Sequence, residues 1–185
     1  MPTALYQKSL AELQTEAPDA EISAVTYQVS QDFFDAQKDT ETSDEIKGFT
    51  SVMVFSQNDE IVLARKSYGA PGWAMPGGGV ELDETFHDCA RREILEELGV
   101  RLDELELVMI EEETWLSPTQ ESSHSLLAVF AGRMRKFALP PLTDEAKEEG
   151  LELALFDPFD LPAEMALTDR EKIEAFLEEA DDSSD

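Results

Sequence analysis

The chain predicts an α/β fold in which a mixed β-sheet is flanked by helices. Three observations carry that expectation. The 185 residues suit one domain, and the 42% that are apolar suffice for a sizeable core. From Lys47 onward the pattern runs strand, strand, helix, strand, strand, strand, helix. No apolar run approaches the length of a membrane-spanning helix, so no membrane is expected as a partner.

The elements follow in order. Leu10–Ala17 carries weak helical patterning, which Pro18 breaks. Val25, Tyr27 and Val29 alternate as in a strand, and Ser30 is placed to cap "QDFFDAQKD". "DTETSDE" is a polar linker. Residues 1–46 are therefore expected as an N-terminal extension, residues 47–178 as the main domain, and residues 179–185 as an acidic disordered tail. "FTSVMVF", "SQNDE" and "IVLAR" read as strand, turn and strand of a β-hairpin. The glycines and prolines of "KSYGAPGWAMPGGG" mark a loop. The strongest helix comes next. Thr85 with Asp88 makes a capping-box variant, Gly99 is a C-terminal stop, and Phe86, Ala90, Ile94 and Leu98 form one apolar stripe. Strands are expected at 104–112, 125–131 and 151–156, with "DPFDLP" as a turn. A last helix starts at Thr168, with Glu171 as its box residue, and turns Ile173, Phe176 and Leu177 inward.

Charge narrows the function classes. Forty-two acidic residues face 14 basic ones, a net charge of -28. Such a chain repels a phosphate backbone, which argues against nucleic-acid polymers as partners. The acid is spread along the whole length of a chain still rich in apolar residues, a distribution that resembles proteins of halophilic organisms, where concentrated salt screens self-repulsion. The N-terminus has no basic stretch followed by an apolar one, and Cys89 is the only cysteine, so a cytoplasmic location is the default expectation.

Chemistry concentrates near the end of the central helix. Glu93, Glu96 and Glu97 fall within one arc of roughly 100°, adjoining the apolar stripe. Anions at a helix C-terminus cost about 0.3–1 kcal/mol each unless compensated. Three hard oxygen donors at the edge of the core suit Mg²⁺ or Mn²⁺, which would turn that cost into a gain. Adjacent glutamates alone carry little weight, because the chain also writes "EEE" at 111–113 and "EE" at 148–149 and 178–179.

The full spacing carries much more. Gly78, Glu84, Arg92, Glu93, Ile94, Glu96, Glu97, Gly99 and Val100 fill every fixed position of G-x5-E-x7-R-E-U-x-E-E-x-G-U, where U is aliphatic. This is the Nudix box, and the chain resembles a Nudix hydrolase. The likeness extends from about Lys47 to Leu161, through "WAMPGGGVE" before the box and "LFDPFDLP" after it. The resemblance implies an α/β/α sandwich and a loop–helix–loop metal site. Glu93, Glu96 and Glu97 would bind Mg²⁺ or Mn²⁺, helped by a backbone carbonyl of Gly77 or Gly78, with Glu84 supporting the metal or the loop and Arg92 orienting a box glutamate. The implied activity is hydrolysis of the pyrophosphate linkage in a small nucleoside diphosphate-X substrate, and the family also implies a homodimer. Two positions depart from the common pattern: Asp83 stands where glycine is usual, and Cys89 where alanine is.

Outside the box, Glu152 or Glu149 is the expected general base. Arg65 is expected to reach phosphate, and Trp73 to stack on a base, with Tyr68 and Trp115 as alternatives; His124 is a weaker candidate. The short loop before "PGGGVE" favours a (d)NTP pyrophosphohydrolase, with an ADP-ribose or dinucleotide pyrophosphatase close behind. A non-catalytic regulatory module is the rival, and retention of every box glutamate argues against it.

Overall fold

The computed structural model describes residues 4–18, 20, 22–35, 46–67, 72–166 and 168–182. The expected linker at 39–45 and Tyr68 lie outside the described residues. The elements are α1 (Ala4–Glu16), β1 (Ile22–Gln28), α2 (31–35), β2 (Ile46–Phe55), β3 (Ile61–Arg65), β4 (Gly79–Glu81), α3 (Phe86–Leu98), β5 (Leu105–Leu116), β6 (Ser122–Arg133), α4 (Asp144–Glu148), β7 (Glu152–Phe156) and α5 (Asp169–Asp182). The strands form a seven-stranded mixed sheet of order β1-β5-β6-β2-β3-β7, with β4 paired to β2. The expected α/β class with a mixed sheet is what the chain adopts. Among the described residues, no helix is long and apolar enough to cross a membrane.

Two compact units interleave in sequence. The first comprises residues 1–51, 77–90 and 107–130. Here β1 runs parallel to β5, from Ile22 against Ile110 to Gln28 against Leu116. The N-terminal segment is thus stitched into a sheet. Two further contacts hold it: the Tyr6 hydroxyl donates to Glu112 at 2.9 Å, and Lys47 Nζ donates to Glu12 at 2.7 Å. Ser30 caps α2 as expected, its Oγ accepting from Phe33 N at 3.3 Å. Leu13, Phe34, Val80, Phe86, Ile110 and Phe130 are buried in this unit.

The second unit comprises residues 52–76, 91–106 and 131–185. Antiparallel β7 pairs along all of β3, from Ile61 against Phe156 to Arg65 against Glu152. Val52, Val54, Leu63, Ile94, Leu98 and Ile173 are buried here.

Several expectations shift. α1 begins six residues before Leu10, anchored by buried Tyr6 and Leu13. β5 continues four residues past 112, because Glu111 and Glu113 are buried with Tyr27 and Ser125 donating to them. Gly79, the last residue of the expected loop, already opens a short strand, and Gly79–Glu81 pairs with β2 as β4. α5 runs to Asp182, into the expected disordered tail. Its expected cap differs too. Thr168 adopts φ 71°, and its hydroxyl accepts from Lys172 Nζ, while the Asp169 carboxylate reaches across to accept from Met75 N at 2.7 Å.

Candidate active site

The glycine run is pinned from both sides. Pro76 O accepts from Val52 N, and Gly78 O accepts from Thr50 N, each at 2.9 Å. Gly77 has φ 152°, and a Cβ there would lie 2.1 Å from Thr50 O. Only glycine fits so close to β2. Glu84 folds back onto its own turn, its Oε1 accepting from Glu81 N at 3.0 Å. Thr85 then caps α3: its Oγ1 accepts from Asp88 N at 3.0 Å and donates to the Asp88 carboxylate at 2.8 Å. The stripe of Phe86, Ala90, Ile94 and Leu98 is fully buried, which fixes the helix's rotation. Gly99 stops it at φ 65°, its N–H donating to Leu95 O at 3.0 Å.

That rotation places the three glutamates at the edge of the core. Glu97 is 4% exposed, and the Glu93 and Glu96 side chains are 13% and 39% exposed. Each faces a cation. Arg92 Nη1 donates to Glu93 at 2.7 Å and to Glu96 at 3.0 Å, so one guanidinium links both. Lys66 Nζ lies 3.2 Å from Glu97 Oε1 and 3.3 Å from Glu149 Oε2. Burial pushes the Glu93 carboxyl above its ordinary range; Arg92 opposes the rise and Glu96 adds to it. For Lys66, burial pulls the ammonium down, but Glu97 and Glu149 together outweigh it and raise the group overall. The cluster is a set of three carboxyl groups at the edge of the core, each within reach of a cationic side chain.

Among the described residues, no three acidic, histidine or cysteine side chains stand close enough together to enclose an ion. Glu93 and Glu96 instead meet at Arg92, and Glu97 meets Lys66. The donor set nevertheless fits a hard divalent cation in kind, being oxygen only, charged and part-buried.

The residues expected outside the box fall into separate groups. Glu152 pairs with Arg65, which donates to it through Nε at 3.1 Å and also through Nη2. The Arg65 guanidinium in turn lies 4.8 Å over the Trp73 ring, whose edge meets Phe156 with centroids 5.0 Å apart. Trp73 is buried, so its faces are largely taken. Glu149, by contrast, is joined to Glu97 through Lys66. Trp115 is buried between Tyr27 and Phe33, with its Nε1 donating to Ser125 Oγ at 3.0 Å. His124 Nδ1 shares a hydrogen bond of 3.1 Å with Thr114 Oγ1, and burial lowers its pKa. Cys89 is fully buried, with its Sγ 3.4 Å from Thr50 Oγ1. Lys66 is the residue that sequence reasoning missed. A lone lysine in a loop carries no spacing signal, and only the scarcity of cations here could have drawn notice to it.

Comparison with known proteins bears on the same region. A family model described as the NUDIX domain matches residues 47–176. The NAD-capped RNA hydrolase NudC of Pseudomonas aeruginosa is 30% identical over 128 residues, covering 68% of this chain but 42% of its own length. The chain thus spans less than half the length of that relative. Among solved structures, the MutT protein from Bacillus halodurans aligns with TM-score 0.56 at 23% identity, covering 68% of this chain and 78% of that one. The NUDIX domain of Shewanella oneidensis NrtR, complexed with ADP ribose, aligns with TM-score 0.55 at 16% identity, covering 71% and 86%. The structural likenesses speak to the fold, and the family model spans well over half of the chain, including the whole glycine run and glutamate helix. The chain belongs to the Nudix hydrolase family.

Proposed function

We propose that this protein hydrolyses the pyrophosphate linkage of nucleoside diphosphate-X compounds, using Mg²⁺ or Mn²⁺ held by Glu93, Glu96 and Glu97. The observation that carries the reading is the glutamate face of α3, with Glu93 and Glu97 largely buried, on which Arg92 and Lys66 converge. A diphosphate is polyanionic, and a protein of net charge -28 needs added positive charge to receive it. A bound divalent ion supplies that neutralisation and a more acidic water.

The chain's own groups have separable parts. Arg92 sets the relative orientation of Glu93 and Glu96. The Gly77–Gly78 backbone, fixed against Thr50, presents main chain to phosphate at close range; a carbonyl there and Glu84 complete or support the metal site. Glu149 takes the proton of the attacking water in preference to Glu152. It is tied through Lys66 to Glu97, whereas Glu152 is held by Arg65. Arg65, half-exposed over the Trp73 ring and paired with Glu152, contacts a substrate phosphate in this reading. Water adds to one phosphorus, the bridging P–O bond breaks, and the products are a nucleoside monophosphate and the phosphate of X, one of them keeping the bridging oxygen.

Two substrate readings stand. The short loop before the glycine run favours (d)NTPs, and the 30% identity to a hydrolase of NAD-capped RNA favours a dinucleotide-like substrate such as NAD or ADP-ribose. The net charge favours the small molecule over a capped polymer. The deciding experiment incubates the protein in concentrated KCl with dNTPs, ADP-ribose, NAD and a NAD-capped oligonucleotide, with and without Mn²⁺. Metal-dependent release of nucleoside monophosphate from at least one small substrate is expected. Binding without turnover across the whole set would mean a regulatory module instead.

A further inference from the structure

On the flank of α3, Arg91, Arg92 and Arg101 line a cavity of about 280 Å³ floored by Ile94, Leu102 and Leu105. Leu95, 41% exposed, forms its lip. Three of the 14 basic residues of the chain therefore gather at one small apolar depression. Most basic side chains of the described residues stand in ion pairs, including Lys47, Arg65, Lys66, Arg133 and Arg135. Arg92 is committed to Glu93 and Glu96. Arg91 and Arg101, in a chain with 42 acidic residues, form no ion pair among the described residues.

Arg91 and Arg101 bring two uncompensated like charges to one hollow, and an apolar floor in contact with water is unfavourable. A single occupant relieves both: an anion for the arginines, carried on an apolar body for the floor. Guanidinium forks suit the paired oxygens of phosphate or carboxylate. The volume lies at the low end of ligand pockets, which run from about 300 to 1,000 Å³, so it admits one ring and one anionic group and excludes a dinucleotide.

We propose that this pocket binds a small organic anion, one phosphate or carboxylate on a compact apolar ring. It is separate from the proposed hydrolytic site, although Arg92 borders both, and it does not depend on the activity proposed above.

The test titrates the full-length, isotope-labelled protein with phenyl phosphate, inorganic phosphate, benzoate and phenol, following backbone amides by NMR without added metal. Phenyl phosphate and benzoate are expected to shift the amides of Arg91, Leu95, Arg101 and Leu102 saturably, with phosphate and phenol far weaker. Arg91→Gln combined with Arg101→Gln should weaken binding about tenfold or more while leaving basal turnover unchanged. If that double variant fails to fold, Arg91→Lys with Arg101→Lys replaces it and should weaken binding severalfold. The proposal is overturned by absence of shifts at these amides, by phosphate binding as tightly as phenyl phosphate, or by equal affinity in the folded double variant.

Discussion

Glu97 shows how a single side chain ties the fold to the chemistry. It is 4% exposed near the end of a helix whose dipole disfavours it, and Lys66 Nζ brings a compensating charge to 3.2 Å. Lys66→Met should destabilise the metal-free protein by about 1–3 kcal/mol, the lower part of that range being apt because the lysine is 37% exposed. Added Mn²⁺ should raise the melting temperature more in this variant than in the wild type, since the ion then replaces a missing charge. Equal shifts in the two proteins would show that ion and lysine do not share Glu97. Glu93 gives a prediction of definite sign. Burial raises its carboxyl in the folded chain, so the native state holds a proton that the unfolded state has already lost. Below the ordinary value of 4.5 both states are protonated and nothing is lost; above the raised value the whole cost of ionising Glu93 is borne by the fold. Glu93→Gln should therefore stabilise the metal-free protein at neutral pH, the gain fading as pH falls towards about 4. Urea unfolding at the two pH values checks it, and a gain that grows on acidification would reverse the assigned sign.

At the scale of elements, α3 and its preceding loop form one device. Thr85→Ala removes the cap and should cost about 1 kcal/mol of stability. Gly77→Ala is more severe, because a Cβ at φ 152° would lie 2.1 Å from the Thr50 carbonyl. It should cost about 1–3 kcal/mol and, if this main chain meets phosphate as proposed, lower turnover even where the variant folds. Thermal unfolding and kcat measured on the same samples separate the two effects; a Gly77→Ala protein with normal activity would detach the loop from the chemistry. α3 was legible in the sequence because Phe86, Ala90, Ile94 and Leu98 repeat with the helical period and Thr85 and Gly99 mark its ends. β4 and α4 were not, since three and five residues are too few to show a period and are held by pairing to β2 and by the Thr143 cap. The far end of β5 was hidden by its acid: Glu111 and Glu113 look like surface residues until Tyr27 and Ser125 are seen to satisfy them. That Glu93, Glu96 and Glu97 share one edge of α3 was legible from spacing alone, whereas Lys66 and its link to Glu149 depend on distant segments that only folding brings together.

The whole molecule carries a net charge of -28, and its stability should follow ionic strength. Acid spread over the full chain leaves no single tail to absorb the repulsion. Stability measured by circular dichroism should rise steeply from dilute to molar KCl, and a flat profile would remove halophilic adaptation from the account. We also propose a homodimer, which light scattering in high KCl decides. The N-terminal segment belongs with the folded body at this scale, because β1 and α1 contribute a strand, the Tyr6–Glu112 hydrogen bond and the Lys47–Glu12 pair.

The central claim is that the α3 carboxylates exist to hold a divalent ion. Its most direct test is a Mn²⁺ titration read by the loss of the free-ion EPR signal, comparing the wild type with Glu96→Gln and Glu97→Gln. Saturable binding in the wild type, weakened about tenfold or more in each variant, with turnover falling in parallel, is the expected result. Wild-type affinity in both variants, with folding intact, would contradict it.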